Sequence, residues 1–455
     1  MKKNAIPFVA SVCLFLSFTI SAQDSVLEST SANTNKPSLN FSQALDIAIL
    51  HDQDLQAAEF VYQSAVASRG ISKAALLPQL NLSGFSSTTD REAFYENPGF
   101  PDTTATVDTT GYNLSLSQTL YNHGIYKRLQ QTDMAIASSL AKVEAARQDL
   151  IVRLATAYFN VLGAQDNLKF ASAEKESISK QLEQSKKRFE VGLIAITDVK
   201  EAQASYDTSV AQEIDAENIL FAQFEALSVI LGTYTTNISA LRDDIPLLIP
   251  EPANMLKWTE SAKENNLILR AAKYDYQAAQ KQVDADQSEH LPYLDLLAQH
   301  QYSNQEGGTF GSERTDTTLT VQLTVPIYSG GGINAKYKQS VALKEQARAL
   351  KEKAQRQAMQ QTRDAYLGVT STIAQVKALK QALNSTQAAH EATQAGFEVG
   401  TRTAIDVLTT LRDVFRAERD YARARYNYII NTLSLKQAAG TLSTDEGRAI
   451  NMFIQ

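Results

Sequence analysis

Apolar side chains recur every seven residues along the stretch from position 122 to position 191. Two positions of the heptad are mostly apolar. One is occupied at seven-residue steps from Ile136 to Ile178, and the other from Leu140 to Phe189. A sustained heptad predicts a helix in coiled-coil packing with a left-handed supercoil. At about 1.5 Å per residue such a helix is roughly 100 Å long, so it cannot fold back into a compact core. A weaker heptad stripe of apolar residues, which we call a seam, predicts a matching helix over 332–399.

Four shorter stretches alternate apolar and polar residues with a period of two. The last one alternates apolar residues from Leu319 to Ile327 with polar residues from Thr318 to Tyr328, and the first begins near Leu80. Alternation predicts strands that bury one face and expose the other to water. Such strands fit a soluble antiparallel sheet or, in an exported chain, an outer-membrane barrel. Because a membrane barrel needs about eight strands, a barrel built from these strands requires several chains.

The sequence repeats itself at a spacing of 208 positions. Phe-Glu-Val-Gly ends at Gly192 and again at Gly400, and Asp-Val follows each glycine at the same distance. A glycine between two helical patterns predicts a helix C-terminus and a tight reversal. We therefore expect a tandem duplication. Each copy holds a first helix (roughly 42–75 and 254–288), two strands, a long helix, a tip turn and a last helix.

This organisation divides the chain into six segments. They are a signal peptide (1–22), a disordered leader (23–40), the first repeat (41–234), a connector (235–253), the second repeat (254–442) and a C-terminal tail (443–455).

The first 22 residues have the order of a secretory signal, with Lys2 and Lys3 before an apolar run that is too short to span a membrane. Cys13, the only cysteine, lies in that run, so we expect no disulfide and no thiolate metal site in the exported chain. Loss of the two lysines changes the net charge from −7 to −9. An acidic exported protein is a poor candidate for nucleic-acid binding.

Catalytic and cofactor motifs are not evident. None of the five histidines has metal-ligand spacing to another histidine or a cysteine, and His390 falls on a predicted helix seam as a packed core residue. The stretch 329–332 has three glycines but lacks the Lys-Ser/Thr of a phosphate loop, so a turn is predicted there. We expect neither an enzyme nor a bound cofactor or metal.

The tips RFEVGLIAITDV and GFEVGTRTAIDV, together with ATAYFNVL at 155–162, resemble the TolC family of outer-membrane efflux and secretion channels. The resemblance covers nearly everything after residue 40. It implies a mainly α-helical homotrimer with a membrane β-barrel portion, in which each chain gives four strands to a shared 12-stranded barrel. The long coiled-coil helices would form a periplasmic α-barrel whose entrance the tips close.

The resemblance also assigns gate residues. In that family an Arg in the second tip and a Thr-Asp pair in the first form linkages that keep the entrance closed, and these match Arg402, Thr197 and Asp198. The family's tyrosine in the second tip is Phe397 here, so its hydroxyl link toward Asp198 is missing.

Two further positions match the aspartates that line the family's pore constriction. Asp406 matches one of them, and Thr409 stands where the second would be, so one carboxylate per chain is implied. Other interpretations remain open from the residues alone. Asp198 and Asp406 also suit the first turn of a helix, where the helix dipole favours acids, and Arg402 also suits a solvated surface.

The implied function is a passive, gated exit duct for toxic compounds, secreted proteins or both. Its implied partners are two further copies, a periplasmic adaptor, an inner-membrane pump of the RND, ABC or MFS type, and outer-membrane lipid, with no nucleic acid. The alternative is a trimeric coiled-coil structural or adhesive protein that has a barrel anchor and does not transport.

Overall fold

Secondary structure follows the predicted order of helices and strands in the computed structural model of the chain. The residues that it describes are 38–94, 99, 103–242, 244–308 and 311–454. The predicted signal peptide lies outside them, as does the predicted leader up to position 37. Residues 38–40 were expected to be disordered. They are instead held in place, because Leu39 bridges Ile238 and its N–H donates to the Asn237 carbonyl at 3.0 Å.

Helices make up most of the described residues. The α-helices are α1 (Phe41–His51), α2 (Gln53–Ala74), α3 (His123–Glu190), α4 (Ile196–Leu231), α5 (Met255–Asn265), α6 (Leu267–Gln287), α7 (Gly332–Glu398), α8 (Ala404–Ala439) and α9 (Thr444–Ala449). The strands are β1 (Gln79–Ala93), β2 (Thr103–Tyr121), β3 (Tyr293–Gly307) and β4 (Ser312–Thr324).

Each predicted first helix is interrupted once, which the sequence pattern missed. The chain is extended at Asp52 and at Asn266, and both side chains start a new helix as N-caps. Asp52 Oδ1 accepts from the Leu55 N–H at 2.8 Å, and Asn266 Oδ1 accepts from the Leu269 N–H at 2.9 Å. Such a cap satisfies an N–H group that the first turn of a helix leaves unpaired. The apolar period continues across the break, so periodicity alone does not detect it.

The N-caps follow the same duplication as the sequence. Asn40 caps α1 and Asn254 caps α5, and these two caps lie 214 positions apart. Asp52 and Asn266 are also 214 positions apart. The two copies therefore begin these helices with a polar N-cap side chain at matching positions.

The heptad seam of α3 is confirmed over its middle part. Val143, Leu150 and Ile178 are buried there, whereas Leu140, one turn before Val143, and Phe189, in the last turn, are exposed, against expectation.

The four strands form one antiparallel sheet in the order β1-β2-β3-β4. Strand β1 is therefore one edge and β4 is the other. The predicted last strand is too long, because β4 ends at Thr324 and the alternating residues up to Tyr328 lie outside it. Pro326 has no N–H to give to a ladder, which explains the early end.

A buried aromatic cluster ties α3 to α1 and α8. The Phe159 ring stacks on Phe41 and on Tyr426, and Tyr158 meets Phe41 edge-on. The Tyr158 hydroxyl lies 2.8 Å from the Ser239 carbonyl, and burial raises the pKa of this hydroxyl, so it remains a donor. This cluster fixes the part of α3 farthest from both strands and tips. Within the described residues, no helix combines the length and apolar character needed to cross a membrane.

Candidate functional site at the helix tips

The first tip, residues 191–195, joins α3 to α4. Gly192 has a φ of 77°, a conformation that glycine adopts without strain. Its N–H donates to the Phe189 carbonyl at 2.9 Å, and the Leu193 N–H donates to the Arg188 carbonyl at 2.9 Å. This pair of bonds is a Schellman motif, which satisfies carbonyls at the end of a helix. The predicted reversal at Gly192 is therefore present.

The second tip, residues 399–403, joins α7 to α8 in the same way. Gly400 has a φ of 80° and donates to the Phe397 carbonyl at 3.2 Å, and the Thr401 N–H donates to the Gly396 carbonyl at 2.8 Å. The two tips thus close with equivalent hydrogen bonds. We call α3 with α4 the first hairpin, and α7 with α8 the second hairpin.

Asp198 lies in the first turn of α4. Its Oδ2 accepts from the Ala195 N–H at 3.3 Å, so the carboxylate caps the helix start. Thr197 beside it is exposed. Within this chain no hydrogen bond or ion pair among the described residues joins Arg402 to Thr197 or Asp198, so the predicted linkage remains a prediction.

Asp406 takes part in a reciprocal cap at the start of α8. The Thr403 hydroxyl donates to Asp406 Oδ2 at 2.9 Å and accepts from the Asp406 N–H, and the Thr403 N–H also donates to Oδ2 at 2.9 Å. These bonds stabilise the charged form and lower the pKa of Asp406, with the nearby Arg402 charge adding a smaller effect. Thr409 is exposed one turn later, and its hydroxyl donates to the Ile405 carbonyl.

Arg402 is exposed, and its aliphatic part lies against Gly396 in the last turn of α7. A Cβ built on Gly396 would lie 2.8 Å from Arg402 Cγ. The absence of a side chain at position 396 therefore makes room for Arg402.

Phe397 is buried, with 6% of its surface exposed, and it packs against Ala404 and Val407. The guanidinium carbon of Arg188, at the end of α3, lies 4.2 Å from the centre of the Phe397 ring. Arg188 therefore contacts the residue that replaces the family's tyrosine. Sequence reasoning missed this contact, and the only signal was that Arg188 precedes the tip motif.

The first turns of α4 and α8 also pack together. Val199 and Ala202 of the first hairpin form one buried cluster with Leu408 of the second, and Ile194 and Leu411 flank it. The two tips are thus held side by side within one chain.

Polar contacts join the hairpins farther from the tips. Arg419 of α8 lies 3.3 Å from the buried Glu174 carboxylate of α3, and the Tyr426 hydroxyl lies 2.5 Å from Asp166. Sequence patterns did not single out these pairs.

His390 contacts α8 as the seam prediction required. Its Nδ1 lies 3.1 Å from the Thr410 hydroxyl, and burial lowers the pKa of this imidazole. Among the described residues, no group of three or more His, Cys, Asp or Glu side chains is arranged to hold a metal ion.

Comparison with known proteins decides the family. A family model described as outer membrane efflux protein matches residues 44–233 and 258–441. The chain belongs to the outer membrane efflux protein family. Outer membrane protein TolC of Vibrio cholerae serotype O1 is 34% identical over 456 residues, covering 99% of this chain and 98% of that relative. Proteases secretion protein PrtF of Dickeya chrysanthemi is 26% identical over 412 residues, covering 89% and 88%.

The fold of this family member also matches solved structures. The outer membrane protein VceC from Vibrio cholerae superposes with a TM-score of 0.73 at 19% identity, covering 88% of this chain and 96% of that chain. These relatives are named as outer-membrane, efflux or secretion proteins rather than as enzymes. As a family member, the chain is an outer-membrane exit duct, and the resemblance stated from the tip motifs is confirmed.

Proposed function

We propose that three copies of this chain form one duct, with a shared 12-stranded barrel in the outer membrane and a periplasmic tunnel of helices. The first repeat (41–234) and the second (254–442) each contribute one hairpin and two strands. The observation that carries this proposal is the four-stranded sheet, which has two unpaired edges and one exposed apolar face.

The strand register supports a lipid-facing surface. One row across the sheet is apolar and the next row is polar. The apolar row is Leu80, Leu116, Ala298 and Leu319, and the polar row is Asn81, Ser115, Gln299 and Thr318. Leu80 and Leu319 are largely exposed, at 64% and 72%. A broad exposed apolar face suits lipid better than water.

The unpaired edges support sharing of one barrel. An open edge in lipid leaves N–H and C=O groups without partners, each at a cost of several kcal/mol. Pairing of β4 of one chain with β1 of the next removes all edges once three chains close a ring. Twelve strands exceed the roughly eight that a membrane barrel needs.

The helix tips form the gate in this proposal. Arg402 is exposed and makes no ion pair among the described residues of its own chain. It would donate hydrogen bonds to Thr197 or Asp198 at a neighbouring tip. A hydrogen bond to a charged group contributes about 1.5–3 kcal/mol, and less where the tip is wet. Three symmetric copies of such a bond would hold the entrance closed.

The constriction is formed by Asp406, with Thr409 one turn farther along α8. Three carboxylates around one narrow ring attract cations. The hydrogen bonds from Thr403 keep the Asp406 carboxylate ionised, which supports this role.

The cargo and partners follow from the relatives. Efflux of toxic compounds fits the family description, and type I protein secretion fits the name of PrtF. The duct would be exported by the predicted signal peptide. It would dock through a periplasmic adaptor with an inner-membrane pump of the RND, ABC or MFS type.

Planar-bilayer recording tests the duct. The purified protein should insert as stepwise single channels with a small resting current. Arg402→Ser should raise that current, whereas Arg416→Ser should not, because Arg416 is exposed on the same helix and pairs locally with Asp413. An intact trimer that produces no current steps would support the non-transporting coiled-coil alternative instead. Equal resting current in Arg402→Ser and wild type would remove Arg402 from the gate.

A further inference from the structure

The last turns of α3 and α7 meet at one contact between a cation and an aromatic ring. Arg188 lies four residues before the first tip glycine, and Phe397 lies three residues before the second. The guanidinium carbon is 4.2 Å from the ring centre, well inside the roughly 6 Å within which a cation is attracted to an aromatic face. The ring is buried and the Arg188 side chain is half-buried.

Attraction of Arg188 to the end of its own helix does not account for this position. A cation in the last turn of a helix is favoured by the helix dipole, and both Lys187 and Arg188 meet that condition. Lys187, however, pairs with Glu183 on the same helix at 2.6 Å. In the described part of the chain Arg188 has no carboxylate within ion-pair distance, and it crosses to the other hairpin.

Among the residues that the structure describes, this contact is made once, although the tips are duplicated. The counterpart of Phe397 at a spacing of 208 is Phe189, which is 41% exposed. The counterpart of Arg188 is Gly396, which has no side chain to offer. The second copy therefore cannot form the reciprocal contact. The cation comes from the first hairpin and the aromatic ring from the second, with no such pair in the opposite sense.

We propose that Arg188 is a gate residue, and that its contact with Phe397 is a latch that fastens the first hairpin to the second beside the tips. The inference rests on the proposed duct and its tip gate. Any movement that separates the hairpin ends exposes the Phe397 ring and removes the cation from its face. The latch therefore stabilises the closed tips. It takes the place at position 397 of the hydroxyl linkage that a phenylalanine cannot make.

A double-mutant cycle in planar bilayers tests the latch. Arg188→Gln removes the cation, and Phe397→Leu removes the aromatic face while keeping an apolar side chain. Each should raise the resting open probability by about two- to fivefold per latch released, the factor that corresponds to an ordinary cation–π contact. The double variant should be no more open than either single variant, because both lose the same contact. Phe397→Tyr keeps the ring face and adds a hydroxyl, so its resting open probability should not rise above that of wild type.

Lys187→Gln is the matched control, since it removes a neighbouring charge that pairs within α3. It should leave the resting open probability unchanged. Trimer content and melting temperature are measured for every variant, so that loss of assembly is not counted as opening. If Phe397→Leu does not assemble, Phe397→Met replaces it, because an unbranched side chain fills similar space without an aromatic face.

The possible outcomes distinguish failure of the latch proposal from failure of the duct proposal. Unchanged resting current in Arg188→Gln, or additive effects in the double variant, would overturn the latch while a conducting wild type leaves the duct in place. A wild-type trimer that never conducts would overturn the duct proposal and the latch with it. An increase in both single variants without additivity, together with an inert Lys187→Gln, would support the latch.

Discussion

The missing side chain at Gly396 leaves the space that Arg402 occupies. The Gly396 carbonyl accepts from the N–H groups of Thr401 and Arg402, and a Cβ at this position would approach Arg402 Cγ to 2.8 Å and the Thr401 hydroxyl to 3.2 Å. Gly396 is helical, so alanine is compatible with its backbone, and the flexible arginine has to move. This makes position 396 a way to perturb the proposed gate without altering any charge.

Gly396→Ala should therefore displace Arg402 and raise the resting current in the same direction as Arg402→Ser, by a smaller factor. Single-channel recording checks this. Gly70→Ala in α2 is the control, because a Cβ at Gly70 meets no atom within 4 Å. Helix stability should change little or rise by about 0.5–1 kcal/mol in both variants. Equal resting currents in the two variants would show that Arg402 does not depend on the space at Gly396.

The Thr403–Asp406 cap predicts a pH dependence at the second tip. The bonds from Thr403 lower the pKa of Asp406, so the carboxylate stays ionised to a lower pH than an ordinary aspartate. The stabilising contribution of this cap is present above the unfolded-state pKa, and it is lost as the pH falls through the lowered folded-state pKa. Thr403→Val removes the hydroxyl donor, so the pKa of Asp406 should rise toward its ordinary value.

Cation preference measured against pH tests this prediction. Thr403→Val should lose its preference for cations at a higher pH than wild type. Asp406→Ala should have a weak preference at every pH, and Thr409→Asp should have a stronger one. If the profiles of Thr403→Val and wild type coincide, the cap does not control ionisation of the pore carboxylate.

The tip glycines and acids could be predicted from sequence because the determinants are local. Gly192 and Gly400 each end a helix within a few residues of the motif that predicts it, and Asp406 lies in the first turn of the helix that it caps. The contact between Arg188 and Phe397 could not be predicted in this way. It joins residues 209 positions apart, and it depends on how two long helices approach each other.

At the scale of helices, the first and second hairpins are joined by an ion pair whose carboxylate is buried. Glu174 of α3 is only 3% exposed, and Arg419 of α8 is its ion-pair partner, at 3.3 Å. Removing one member of a buried pair leaves the other charge without compensation. The pair therefore resists separation of α3 from α8 between the aromatic cluster and the tips.

Arg419→Ala should destabilise each chain by about 2 kcal/mol, since it leaves a buried carboxylate unpaired. The measurement is thermal unfolding followed by helix circular dichroism in detergent. Arg416→Ala is the control on the same helix, and its exposed local pair should contribute less than about 0.5 kcal/mol. Equal melting temperatures for the two variants would mean that solvent reaches Glu174.

Element order was predictable, whereas several element ends were not. The heptad and the period-two patterns located the long helices and the strands. The apolar repeat does not reveal the breaks at Asp52 and Asn266, because a polar N-cap residue within the repeat looks like an ordinary exposed residue of a continuous helix. The alternating pattern predicts a last strand that runs past Thr324, because it continues through Pro326. Proline has no N–H for the ladder, so the strand ends earlier.

At the scale of the whole molecule, the proposed trimer makes a direct prediction. Protein extracted in mild detergent should have a particle mass of three chains, and light scattering coupled to size exclusion measures it. Four strands with open edges cannot form a stable barrel alone. A monodisperse monomer that still conducts ions would contradict the shared barrel.

The two open edges of the sheet also matter before the chain reaches its membrane. A newly exported copy carries an open β1, an open β4 and a broad apolar face between them. Such edges are templates for uncontrolled strand addition, so a solitary copy is prone to aggregate. Because closing the ring requires three copies to meet, the yield of duct should fall steeply on dilution. Helper proteins that shield strand edges should matter most for this chain when its synthesis is slow.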